Sequence, residues 1–371
     1  MFTNLFRALQ MVKMINYSPF SNIGPLCLDV SVTSICNHNC YFCDEHSYLK
    51  TKGRKHETLP EPVLRNLFED CVKLGVQEIL LAGNGEPFFV KYLPKLIMEY
   101  GSKIKIKALT NGSTLSKIVT QQLLDNIYKL TISINSIYRE THKLIHGYRN
   151  DYQFDDIMKG IDMVLEIPHS RKKLQINYVL TADNIEEFDD VIDMSHNKDI
   201  YFAIRPVGIG FTEVKSKKLN KTLIKELNDK IDYKLKNSKL KQRAIASLKF
   251  ARESLQISEA KDGNENKLLP CYSGFYWGFI HSNGQYSLCC HCDNSLGNIR
   301  ENSFYEIWKS KQTQSIIYST ALMHESNIPY CSSCYKCGDP YMYSAIFHKY
   351  FSAIPLQSTL LRYWRKSKSN C

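Results

Sequence analysis

The chain lacks any apolar run long enough to cross a bilayer, so no membrane-spanning helix is expected. Its first residues, MFTNLFRALQMVKMINY, lack the basic segment and continuous apolar stretch of a secretory signal. No internal repeat and no low-complexity linker divides the 371 residues, which argues against a solenoid or a disordered scaffold. What the chain has in quantity is cysteine, thirteen residues in all. With no sign of export these thiols are expected to stay reduced, in a cytoplasmic setting that suits oxygen-sensitive metal centres. The length is enough for one large domain with its own core and a small second one.

A formal net charge of +11 suggests a nucleic-acid partner until its distribution is inspected. Residues 215–252 carry thirteen Lys and Arg against Glu226, Asp229 and Asp232, and residues 357–371 add Arg362, Arg365, Lys366 and Lys368. The remainder is mildly acidic, so nucleic acid is not an expected partner. Leu219, Leu223, Leu227, Ile231 and Leu235 recur every four residues and place the basic segment on helix, one apolar face against the body. A solvated basic face is the plain reading, and a landing surface for an anionic substrate, partner or lipid is the sharper one. Near the C-terminus, Ile346, Phe347, Tyr350, Phe351 and Ile354 share a helical face, Pro355 breaks the run, and Leu360, Leu361 and Trp364 follow beside basic residues. Such a face packs on its own protein or makes peripheral contact with a membrane.

The most informative stretch is SICNHNCYFCDEH, a C-x3-C-x2-C arrangement of Cys36, Cys40 and Cys43. Three thiolates on one short loop can hold three irons of a cubane cluster and leave the fourth iron open to a small molecule. Zinc is the rival metal, but structural zinc takes four ligands and catalytic zinc usually draws on His or carboxylate. Further on, after the apolar run EILLA, stands Gly83-Asn84-Gly85-Glu86-Pro87. Short apolar runs alternate with longer amphipathic ones, giving strands near 27–33, 77–82, 104–109, 129–134, 174–180 and 200–205. Between them lie helical stretches such as PEPVLRNLFEDCVKLG, with Pro62 near its start and Gly75 past its end.

With Phe42 before its last cysteine, the loop resembles the signature of the radical S-adenosylmethionine (radical SAM) superfamily, and the resemblance runs through residues 25–210. It implies an α/β fold, a partial (β/α)6 TIM-type barrel whose chemistry sits on loops at the C-terminal ends of the strands. It also implies a [4Fe-4S] cluster on Cys36, Cys40 and Cys43, with SAM on the open iron. GNGEP is similar to the family's GGEP motif: Asn84 replaces a Gly, while Gly83, Gly85, Glu86 and Pro87 stand at positions where backbone groups and Glu86 would receive the methionine amino group. Asn111, in the Thr110-Asn111-Gly112 turn after strand three, would belong to the same rim. Ser133 and Asn177 would touch the SAM ribose or carboxylate, an ordinary polar strand-end role being the alternative. In this family the reduced cluster cleaves SAM to a 5′-deoxyadenosyl radical that abstracts hydrogen from carbon, with electrons from a donor such as flavodoxin or ferredoxin. Glu86 is then a positioning residue and not a general base.

Downstream, Cys271, Gly284 and Cys289 precede Cys331, Cys334 and Cys337 in a C-x2-C-x2-C array, with SLGNIRENSFYEIWKS between. This resembles the SPASM or twitch extension and implies one auxiliary [4Fe-4S] cluster on Cys271, Cys289, Cys331 and Cys334. Cys337, or Cys290 and Cys292 in LCCHCD, are the candidates to replace one of these, and a zinc ribbon is the alternative for the whole group. Cys27 and Cys71 read as small buried apolar residues.

The expected organisation is an N-terminal extension (1–24), the barrel (25–210), a basic helical insertion or linker (211–265), a cluster domain (266–340) and an amphipathic basic tail (341–371). The expected activity is oxidoreductase-type, on a small carbohydrate-type or other metabolite substrate. A peptide maturase is the alternative, weighed down by the shortness of the segment before strand one, too short for a fused leader-peptide domain. RNA modification comes third. A non-catalytic iron–sulfur or zinc protein is the contrasting class; it explains the cysteines but not why GNGEP and TNG follow successive strands.

Overall fold

The computed structural model describes residues 23–43, 55–148, 150, 152–207, 218–262, 271–290, 292 and 294–321. Six strand–helix units open the fold. Strands β1 (Cys27–Ser31), β2 (Glu78–Ala82), β3 (Lys105–Thr110), β4 (Lys129–Ser133), β5 (Leu174–Leu180) and β6 (Tyr201–Pro206) pair in sequence order, all parallel. The sheet does not close, so the barrel is partial.

The strand pattern follows from two-residue periodicity. Leu28, Val30, Ile79, Leu81, Ile106, Ala108, Leu130, Ile132, Ile176, Tyr178, Phe202 and Ile204 are buried in one core cluster with the helices. The opposite face carries Asp29, Lys107, Lys129, Thr131, Ser133, Gln175, Asn177, Tyr201 and Arg205, a polar surface for a sheet interior. Helix α1 (Glu61–Lys73) places Leu64, Leu67, Phe68 and Cys71 at helical spacing against this core, with Pro62 in its first turn and Gly75 at φ +67° just beyond its end.

Further along the chain are α2 (Leu93–Tyr100), α3 (Leu115–Ile118), α4 (Gln121–Asn126), α5 (Arg139–His146), α6 (Tyr152–Glu166) and α7 (Phe188–Lys198). The basic segment forms two helices, α8 (Lys221–Asn237) and α9 (Gln242–Asp262). On α8 the buried stripe is Ile224, Leu227 and Ile231, with Leu219, Leu223 and Leu235 partly buried around it. Its Lys234 reaches Asp189 of α7 at 3.2 Å, and Lys230 reaches the same carboxylate at 3.4 Å. These two lysines of the basic segment therefore face an acidic helix. Ser247 of α9 accepts a hydrogen bond from the Phe202 backbone at 2.8 Å, seating α9 against β6.

Three strands are absent from the sequence reading, and the first of them, β7 (Trp277–Ile280), pairs parallel with β1 on its other edge. Strands β8 (Gln285–Ser287) and β9 (Gly297–Asn298) follow antiparallel, completing the order β6-β5-β4-β3-β2-β1-β7-β8-β9. After them, the short α10 (Ser273–Tyr276) having preceded β7, come α11 (Phe304–Lys309) and α12 (Lys311–Ala321). The α11 segment carries the Ser303–Glu306 capping box, the Tyr305 amide donates to Asp70 of α1 at 3.0 Å, and Trp308 Nε1 donates to the Ile23 carbonyl at 3.0 Å. No helix among the described residues is long and apolar enough to cross a membrane. The C-terminal amphipathic stretch, nearly all of the N-terminal extension, and Cys331, Cys334 and Cys337 lie outside the described residues.

Candidate functional site

The cysteine loop leaves the C-terminal end of β1 and is stapled on both sides. Toward β2, the Glu86 amide donates to the Ile35 carbonyl at 2.9 Å and the Asn84 amide donates to Ser31 Oγ at 3.0 Å. Toward α5, the Asn39 amide donates to the His146 carbonyl at 2.8 Å and the Tyr41 amide to the Ile145 carbonyl at 3.3 Å. A turn closed by Cys43 N–H to the Cys40 carbonyl at 2.9 Å gathers the last two cysteines. Cys36 Sγ accepts from the His38 amide at 3.5 Å and from Asn111 Nδ2 at 3.6 Å. Burial pushes the Cys36 thiol up to about 11 and the Cys40 thiol well above its ordinary value. Without metal these thiols are neutral, and a metal must displace their protons.

GNGEP owes its glycines to close approach. Gly83 sits at φ +104°, and a Cβ there would meet Ser31. Gly85 lies directly against the backbone of Thr33 and Ile35. Pro87 starts a short 3₁₀ turn, Pro87–Phe89, capped by Glu86. The Glu86 carboxylate is buried and occupied: it accepts from Phe88 N at 3.1 Å, Thr110 Oγ1 at 2.6 Å and Asn111 N at 2.7 Å. Burial lifts its pKa to about 7 against the pull of these donors. Its side chain thus clamps the TNG turn to the GNGEP turn. Asn111 Nδ2 in turn donates to Asn37 Oδ1 at 2.8 Å, tying that turn to the cysteine loop. Substituting Glu86→Gln turns an amide N–H₂ toward one of these donors and is expected to destabilise the chain by about 1–3 kcal/mol. An unchanged urea midpoint would contradict this.

Ser133, the last residue of β4, faces Asn177 across the β4–β5 register, and Ile134 N donates to the Asn177 carbonyl at 3.0 Å. Both side chains are half-buried on the polar face, although Asn177 lies mid-strand and not at the rim. In the second cysteine group, the Cys271 amide donates to the Thr320 carbonyl at 3.0 Å, and Cys292 N donates to the Cys289 carbonyl at 3.1 Å. Cys289 and Cys292 are buried and Cys290 is exposed.

Sequence reasoning missed the histidines behind the loop. His38 lies between the first two cysteines, and His142 and His146 stack face to face on α5 with centroids 4.0 Å apart. His38 Nδ1 and His146 Nδ1 are 2.9 Å apart, and Cys40 Sγ is 3.3 Å from His146 Nδ1. These three atoms all lie within 4.8 Å of one another. A tetrahedral zinc with bonds of 2.0–2.1 Å would hold two nitrogens about 3.3 Å apart. The observed nitrogen pair is closer than that and fits a shared proton. Burial presses His38 down to about 4, and burial together with the neighbouring rings presses His146 well below the usual range. The signal was available as His142-x3-His146, one face of one helix.

The donor set fits an iron–sulfur centre: three thiols on one loop, with the N–H groups of His38 and Asn111 already aimed at the Cys36 sulfur. Comparison with known proteins agrees. Residues 30–195 match the Radical SAM superfamily, and residues 271–337 match SPASM, an iron-sulfur cluster-binding domain. A GTP 3′,8-cyclase of Vibrio atlanticus is 28% identical over 178 residues, 47% of this chain and 51% of that protein, so the chain spans about half of its length. An AdoMet-dependent heme synthase of Methanosarcina barkeri is 23% identical over 310 residues, 78% of this chain and 83% of that protein. The crystal structure of Streptococcus suis SuiB bound to S-adenosylmethionine superposes with a TM-score of 0.57 at 17% identity, covering 88% of this chain and 74% of that one. With the cysteine loop inside one matched region and Cys271 to Cys337 inside the other, the chain carries a domain of the radical SAM superfamily followed by a SPASM domain.

Proposed function

We propose that Cys36, Cys40 and Cys43 hold the SAM-binding [4Fe-4S] cluster, and that Cys271 and Cys289 join Cys331 and Cys334 around one auxiliary cluster. The chemistry supplied by the bound cofactors is reductive cleavage of SAM to a 5′-deoxyadenosyl radical that takes hydrogen from a substrate carbon. The chain's own residues position the reactants. Gly83 and Gly85 let the β2 turn approach the cysteine loop, Glu86 fixes the Asn111 turn beside it, and Ser133 and Asn177 offer polar contacts to SAM farther along the sheet. The observation that carries this reading is the lacing of the three loops after β1, β2 and β3 by direct hydrogen bonds.

The polar sheet face, with Lys129, Thr131, Gln175, Tyr201 and Arg205, favours a hydroxylated or anionic metabolite as substrate. The auxiliary cluster would then accept the electron left on the substrate after hydrogen abstraction, completing a two-electron oxidation, and a flavodoxin- or ferredoxin-type protein of the cytoplasm would supply the separate electron that cleaves SAM. A second reading, a peptide maturase, is motivated by the solved complex of SuiB with its precursor peptide SuiA, TM-score 0.57 and 85% of this chain.

Anaerobic reconstitution tests the reading. The parent is expected to take up about eight irons, and the variant Cys36→Ala, Cys40→Ala, Cys43→Ala about four, with 5′-deoxyadenosine release under dithionite abolished. About twelve irons in the parent would demand a second auxiliary cluster. Zinc, or iron without SAM cleavage, would move the chain to a binding role.

A further inference from the structure

The hydrogen-bond network behind the cysteine loop fixes where one proton sits. Asn135 Oδ1 accepts from Val179 N at 2.8 Å, which orients its amide so that Nδ2 donates to His146 Nε2 at 3.2 Å. His146 Nε2 is therefore an acceptor, and the ring carries its proton on Nδ1. At the other end, Asn37 Oδ1 accepts from Asn111 Nδ2 at 2.8 Å and Ser113 Oγ at 3.3 Å, so its Nδ2 donates to Gln153 Oε1 at 3.2 Å. Gln153 Oε1 also faces His38 Nε2 at 2.9 Å and can only accept, so His38 is protonated on Nε2 and bare on Nδ1. The His146 Nδ1–H thus points at two acceptors, His38 Nδ1 at 2.9 Å and Cys40 Sγ at 3.3 Å.

The ring is held for this purpose. It is buried, stacked on His142, and its own carbonyl takes the Asn39 amide of the cysteine loop. Gly147 ends α5 at φ +60°, where a Cβ would lie 2.5 Å from the Asn39 carbonyl oxygen, so the helix end and the loop meet without a side chain between them. A donor on a cluster sulfur stabilises the reduced, more negative state, and more strongly in a buried site.

We propose that His146 is a positioning residue that donates its Nδ1–H to the Cys40 sulfur and raises the reduction potential of the SAM-binding cluster, with His38 competing for the same proton. This rests on the assignment of Cys36, Cys40 and Cys43 as ligands of that cluster. His146→Leu removes the donor, whereas His38→Leu removes the competing acceptor and leaves the whole proton to sulfur. The two variants therefore shift the potential in opposite directions.

The test is an EPR-monitored redox titration of the anaerobically reconstituted full chain, following the signal that responds to SAM, with iron counted in each sample. The expected result is a fall of about 59 mV in His146→Leu, a tenfold change for a one-electron couple, and a rise in His38→Leu. Parental potentials in both, or shifts of one sign in both, would overturn the proposal. Loss of the cluster in a folded His146→Leu would make His146 a ligand and overturn it as well. If His146→Leu fails to fold, His38→Leu decides alone: a rise supports the proposal and its absence overturns it. A parent with no SAM-responsive signal, and an iron count indifferent to the three cysteines, would instead remove the underlying ligand assignment.

Discussion

Gly85→Ala is expected to abolish most 5′-deoxyadenosine release while leaving the auxiliary cluster in place. A Cβ at this position would lie 2.5 Å from the Ile35 carbonyl oxygen, 2.6 Å from that of Thr33 and 2.8 Å from Ile35 N. All three neighbours are backbone, so no side chain can swing aside. Relief must come from separating the β2 turn from the stem of the cysteine loop, at the expense of the Glu86 N–H bond to Ile35. Overpacking of this kind costs about 3 kcal/mol, concentrated where SAM is proposed to bind. Urea unfolding, iron content and nucleoside release measured together check this. An Ala variant with parental stability and turnover would show that the two loops need not be in contact.

Asp29→Asn is expected to stabilise the chain at alkaline pH. Asp29 is buried in β1 on the polar face of the sheet, beside Leu80 and Phe279, and among the described residues its Oδ1 has no hydrogen-bond partner. Burial lifts its pKa from 3.8 to about 7, opposed by the Val30 amide. The folded chain therefore holds this proton more tightly than the unfolded one. The stabilisation is complete below the unfolded value near 4 and is lost as pH rises through about 7, amounting to about 4 kcal/mol at 1.4 kcal/mol per unit. Asn cannot ionise and escapes that loss. Thermal melts should coincide near pH 4 and separate by several degrees in favour of the variant at pH 8. A lower melting temperature for the variant at pH 8 would mean that the carboxylate finds a partner in the folded chain. A buried carboxyl that weakens the fold is also a candidate substrate contact, so a stabilised variant with slower turnover would place it in the reaction.

The features legible in sequence are those whose residues are neighbours along the chain. Cys36, Cys40 and Cys43 share one loop, and the six parallel strands are short apolar runs with the alternation that burial on a sheet requires. Gly83 and Gly85 were legible as a motif, but the reason for each, Ser31 in one case and the Ile35 backbone in the other, needed the fold. Glu86 was likewise legible as part of that motif, but the contacts of its carboxylate with Phe88, Thr110 and Asn111, supplied partly by a different strand, were not. The histidine network was not legible, because His38, Asn135, His146 and Gln153 come from separate elements that only the parallel order brings together. Strand β7 was missed for a similar reason: WGFI is too short to announce itself, and its partner β1 lies at the far end of the barrel sequence.

The pairing of β7 with β1 also bears on how the protein can be divided. In an open sheet the first strand would present a row of bare amide and carbonyl groups, a template for pairing with another chain. Here Trp277–Ile280 covers that row, and β8 and β9 continue outward from it. A barrel cut away after residue 265 would keep every residue of the cysteine loop, yet it would expose the flank of the strand that carries this loop. Such a fragment should self-associate through β1, so trimming this protein to its SAM-binding half exchanges a soluble edge for a sticky one.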